Sequence, residues 1–169
     1  MNGENIATPQ NTKARHEEVK TKYPGITVKF ETYTNIDYLT ILARALLEID
    51  NRIIKNETVK NSCNAYFEVM SRDQGIDKQM VSFKKVWESK QILICFWPEP
   101  TASFFAMTVG DYITIAEKNF TKPNAVAWVA GTLVHEFAHW AGANQFSTGA
   151  EDALPMCGFR DVYTPGLRG

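Results

Sequence analysis

The chain has 169 residues, of which 44% are hydrophobic and 12% aromatic, and its formal net charge is −1. That is enough apolar material for one compact domain and too little length for two comfortable ones. The near-neutral balance excludes a basic nucleic-acid surface and an acidic solvating tail, and the longest apolar run, Ala125 to Val134, is too short to span a membrane.

In chain order, residues 1–11 are polar and are expected to be a flexible N-terminus ahead of a single domain over residues 12–169. They show no apolar core of a secretory signal. Location is therefore open between export without a visible signal peptide and the cytoplasm. Thr12 to Lys22 is charged and helix-compatible, and His16 within it reads as a solvated surface residue. Ile26 to Tyr33 alternates as a strand does. Asn35 or Asp37 then caps a long helix whose apolar residues Leu39, Leu42, Ala45, Leu46, Ile49 and Ile53 recur at helical spacing. A second helix is predicted over Val59–Met70 and a third over Lys78–Glu88, with Gly75 between them.

The pattern changes at Gln91. Ile92 to Trp97 is a short β-prone run, and two further runs around Gly110-Asp111 read as a hairpin. A long apolar helix starts after Pro123-Asn124 and ends at Gly142. Ala143 to Gly169 is rich in turn residues and is expected to be irregular. The order of elements predicts an α+β fold with a helical N-terminal half and a small sheet or hairpin beside the last long helix. The three cysteines, Cys63, Cys95 and Cys157, are isolated. They permit at most one internal disulfide, and buried thiols are the default expectation for all three.

The last long helix carries His135-Glu136-Phe137-Ala138-His139, an HExxH sequence. Residues four apart share one helix face, so the two imidazoles can each give a nitrogen to one Zn2+ ion. Glu136, next to the first of them, can then activate a zinc-bound water for attack on a peptide carbonyl. Gly131, one turn earlier, permits close approach by another segment. Trp140, after the second histidine, is a candidate wall of the substrate cleft.

A catalytic zinc takes a third protein ligand. No histidine follows His139, and the position where a metzincin would place its third histidine holds Gln145. That leaves the carboxylates that follow the motif, Glu151, Asp152 and Asp161, as candidates for the third ligand.

Gly149-Ala150-Glu151-Asp152 resembles the GTxD of the aspzincins, the deuterolysin and peptidyl-lysine metalloendopeptidase group, in which GTxDxxYG follows HExxH. Ala130 to Glu136 is similar to the helix entry of that group, and the likeness covers residues 112–158. It implies a zincin-like fold, Asp152 as third metal ligand, and a tyrosine that stabilises the oxyanion. Here Ala150 stands in place of the threonine and no tyrosine sits at the family's offset, which leaves Tyr163 as a possible oxyanion stabiliser. It also implies that an extended peptide pairs with a strand edge within residues 103–117. The expected function is a zinc-dependent metallopeptidase acting on a protein or peptide substrate. Its narrower variants are an effector or toxin-type protease and a cell-wall peptide amidase, and the opposing reading is a zincin-like binding module without catalysis.

Overall fold

The computed structural model of the protein describes residues 16–20, 23, 26–31, 35–89, 92–97, 105–109, 112–145 and 147–162, and of 16–20, 31 and 92–97 it describes the backbone. Five strands, β1 (His16–Lys20), β2 (Ile26–Glu31), β3 (Ile92–Trp97), β4 (Ala106–Val109) and β5 (Tyr112–Ala116), form one sheet in the order β1-β2-β3-β5-β4. β2 and β3 run parallel, as do β3 and β5, while β1 and β4 are antiparallel edges. The fold is α+β, as expected. The sheet, however, is larger than a small sheet or hairpin, and the first half is not purely helical. The charged stretch expected to be a helix contains β1 instead, because pairing of Val19 with Val28 and its neighbours overrides local helix propensity. His16 accordingly begins a strand. The expected flexible residues 1–11 lie outside the described residues.

Helix α1 (Ile36–Ile49) starts at Asn35, whose side chain accepts from the Asp37 N–H at 2.9 Å. It continues through a π-helical turn, Asp50–Ile54, and buries Leu42, Ala45, Leu46, Ile49 and Ile53. Helix α2 (Glu57–Gln74) is longer at both ends than its apolar pattern predicts and stops at Gly75. Helix α3 covers only Phe83–Trp87. Lys78 takes a left-handed conformation at φ 56°, which no helix can contain, and Ser82 caps the shortened helix by accepting from the Lys85 N–H.

Helix α4 (Ala125–Ala141) is the central element. It packs against α1, α2, α3, α5 and strand β4, and its Val129, Ala130, Leu133, Val134, Phe137 and Ala138 join Ile26, Val28, Ile113 and Ile115 of the sheet in one core. Gly142, at φ 118°, terminates α4. Its N–H bonds to the His139 carbonyl and the next N–H, of Ala143, reaches back to the Ala138 carbonyl, a Schellman turn. No helix among the described residues is long and apolar enough to cross a membrane.

The tail expected to be irregular contains helix α5 (Gly149–Met156) and a 3-10 turn at Arg160–Val162. Cys63 and Cys157 are joined in a disulfide that ties α2 to the end of α5. The expectation of three buried thiols is corrected for these two. Cys95 lies on β3.

Candidate metal centre

The helical spacing that predicts a shared face is realised on α4. The Nε2 atoms of His135 and His139 are 3.2 Å apart. Two nitrogens bound to one tetrahedral zinc at roughly 2.0–2.1 Å stand roughly 3.3 Å from each other. The pair therefore fits that ion. The Schellman turn supplies the second part of the fit. It directs the Ala143 carbonyl back at His139, which donates from Nδ1 at 3.0 Å. A neutral ring with its proton on Nδ1 carries its lone pair on Nε2, the atom that faces His135.

Glu136 is 1% exposed. Its Oε2 accepts a 2.7 Å hydrogen bond from the Thr108 hydroxyl on β4, and its Oε1 lies 4.0 Å from His135 Nε2. Burial pushes its carboxyl up to about 8; the Thr108 hydrogen bond pulls the other way, and the charge of Glu151 adds to the rise. A carboxylate packed inside a core without a cation beside it is costly to ionise. The divalent ion that the two histidines fit would supply such a charge.

Three of the residues singled out from the sequence, His135, Glu136 and His139, are thus brought together. The structure places Asp152 on α5 with Oδ2 accepting from Thr148 Oγ1 at 2.7 Å. Its neighbour Glu151 is only 4% exposed, and its charge reaches Glu136. Asp161 is held elsewhere, in a two-pronged pair with the Arg52 guanidinium at 2.7 and 3.1 Å. Tyr163 lies outside the described residues. Among the described residues, no three His, Cys, Asp or Glu side chains stand close enough together to hold a metal ion. The histidines are therefore a two-donor set.

A cleft of about 490 Å³ opens beside His139, with Thr108, Trp140, Gln74, Asp77 and Asn144 among its walls. Trp140, the candidate cleft wall, is among the residues that line it. Asp77 and Gln74 come from the end of α2 and the loop after it, where no sequence signal marked them. Gly75 and Gly142 make this possible: a Cβ on Gly142 would stand 2.9 Å from the Gly75 Cα. Thr108 is the other residue that sequence reasoning passed over. The alternation along β4, with Ala106 buried, Met107 exposed, Thr108 half-buried and Val109 exposed, turns its side chain toward α4. That signal is present in the strand pattern, but it says nothing of what the hydroxyl meets. Compared with protein-family models, curated proteins and solved structures, the chain matches none.

Proposed function

We propose that the protein is a zinc-dependent metallopeptidase of zincin-like fold. The observation that carries this reading is the pair of imidazole nitrogens 3.2 Å apart with a buried carboxylate beside them. His135 and His139 would hold the ion. When bound, zinc polarises the scissile carbonyl and acidifies the attacking water. Glu136 takes the proton from that water and returns it to the leaving amine. The buried walls around Glu136 keep bulk solvent from competing for the proton.

The third ligand comes from α5, with a side-chain rotation as part of the proposal. Asp152 is supported by the GTxD likeness. Glu151 is supported by its burial and by its charge acting on Glu136. The Arg52 pair argues against Asp161. Metal analysis of Asp152→Ala, Glu151→Ala and Asp161→Ala separates them, with zinc expected to drop in only one of the first two.

The antiparallel edge strand β4, lying against α4 with Met107 and Val109 exposed, supports an extended peptide as substrate. The Cys63–Cys157 disulfide supports export to an oxidising compartment over the cytoplasm. Parallel digestion of casein and purified peptidoglycan distinguishes a general protease from a cell-wall amidase. Glu136→Gln is the central test. It is expected to lower turnover by about 10²–10⁴-fold while zinc content stays at the wild-type level. A variant that keeps near-normal turnover refutes Glu136 as the base, and absence of hydrolysis by the fully zinc-loaded wild type on any peptide supports a binding module instead.

A further inference from the structure

Glu136 has two carboxylate oxygens in unlike surroundings, and the difference assigns a role to Thr108. Oε2 is 2.7 Å from Thr108 Oγ1, which also stands 3.1 Å from the Glu136 main-chain carbonyl. Oε1 lies 4.0 Å from His135 Nε2. That is too long for a direct hydrogen bond and within the span that one bridging water covers. Resting on the peptidase reading above, we propose that Thr108 is the positioning residue for Glu136. Its hydroxyl clamps Oε2 and thereby presents Oε1 as the oxygen that takes and returns the proton.

A hydroxyl suits this task because it is both donor and acceptor. Toward a carboxylate, Thr108 donates to Oε2. Should the proton reside on Oε2, the same hydroxyl accepts from it and turns its own hydrogen to the Glu136 carbonyl 3.1 Å away. Either way Glu136 keeps its rotamer. Proton balance is simple: one proton moves from the attacking water to Oε1, and the same proton leaves Oε1 for the amine. Nothing is gained or lost at Thr108. The backbone makes the clamp stiff. Thr108 pairs with Ile113 of β5, and Glu136 is fixed inside α4. A long flexible carboxylate is thus held at both ends, and most of its rotamer entropy is already lost before substrate arrives.

The experiment compares Thr108→Val, which keeps the shape and loses the hydroxyl, with Thr108→Ser, which keeps the hydroxyl. Removal of a supporting contact of this type costs roughly 10–100-fold, and here the loss is expected in kcat, with KM and zinc content unchanged. Thr108→Ser is expected to recover most of that loss. In the Glu136→Gln background, Thr108→Val should lower turnover no further. A second readout does not need activity. The side-chain carboxyl ¹³C resonance of Glu136 in the metal-free protein, identified by its disappearance in Glu136→Gln, should move in Thr108→Val and stay near the wild-type position in Thr108→Ser. Wild-type kcat in Thr108→Val, with Glu136→Gln inactive, overturns the clamp and leaves the peptidase reading intact. Equal impairment of the serine and valine variants also overturns it, because the methyl group and not the hydroxyl would then matter. An active Glu136→Gln overturns both readings together. An unmoved resonance in Thr108→Val overturns the clamp whether or not a substrate is known.

Discussion

The histidine-bearing helix α4 and the carboxylate-bearing helix α5 packed against it are built on different terms. α4 is seventeen residues long, buried along most of its length, and packed by four other helices and a strand. Its site residues cannot shift without disturbing the core. α5 is eight residues long and contains Pro155. It is held by links to distant parts of the chain. Tyr66 donates to the Gly149 carbonyl at 2.7 Å, Gln74 accepts from the Asn144 N–H at 2.8 Å and from Ser147 at 3.0 Å, and Cys63 is bonded to Cys157. α4 is fixed by packing along most of its length, whereas α5 adds these tethers to a short buried face of Ala150, Ala153 and Leu154. The comparison teaches that a histidine pair can be set by one helix while the segment expected to complete the site is set by contacts far apart in sequence.

The largest expected effect comes from cutting the tether. Replacing Cys63 and Cys157 together by serine should cost about 2–5 kcal/mol of stability, measured by denaturant unfolding. Amide hydrogen exchange should rise in α5 far more than in the middle of α4. Equal protection of the two helices in the variant would break the comparison.

A smaller effect tests their contact. A Cβ on Gly131 would stand 2.5 Å from Val162 Cγ2 and 3.3 Å from Leu154 Cδ2. In Gly131→Ala, overpacking of about 1–3 kcal/mol opposes about 1 kcal/mol gained in helix propensity. The net expectation is a loss of about 1 kcal/mol in thermal unfolding, with the displacement falling on α5. A more stable variant would show that the Leu154 and Val162 side chains move aside freely.

The smallest effect is acidic. The Arg52 guanidinium beside Asp161 holds that carboxyl below its ordinary value of 3.8, and the pair links the turn after α1 to the 3-10 turn after α5. A lowered folded-state value means that the pair stabilises above about 3.8 and that the contribution is lost as pH falls further through the folded value. Because Asp161 is 52% exposed, solvent screens the pair, and about 0.5 kcal/mol is expected. Asp161→Asn should lose that small contribution at neutral pH and flatten the acid limb, with the two proteins converging in stability at low pH.

The difference between the helices also explains what could be read in advance. His135, Glu136 and His139 were legible because their geometry is set by four residues of one helix, and periodicity is local information. Gly142 was legible for the same reason, as was the close approach allowed at Gly131. Helix α5 was not legible: Gly149, Pro155 and Gly158 signal turns, and the helix depends on long-range partners, its packing on α4 and α2 and the links to Tyr66 and Cys63. β1 was hidden likewise, since its partner strand, not its own composition, makes it a strand. Thr108 sits between these cases. Its strand was readable, but its bond to Glu136 spans 28 positions and depends on how β4 lies on α4.

The disulfide also sets an order of assembly. Its two cysteines are 94 positions apart, so the bond cannot close until synthesis has passed residue 157. By then the sheet and α4 have already been made, and N-terminal segments begin to fold first. The histidine pair can therefore form while the carboxylate-bearing arm is still untethered, and its final fastening waits for an oxidant. Completion of this part of the fold is thereby linked to the redox poise around the chain, not only to the order in which its segments fold.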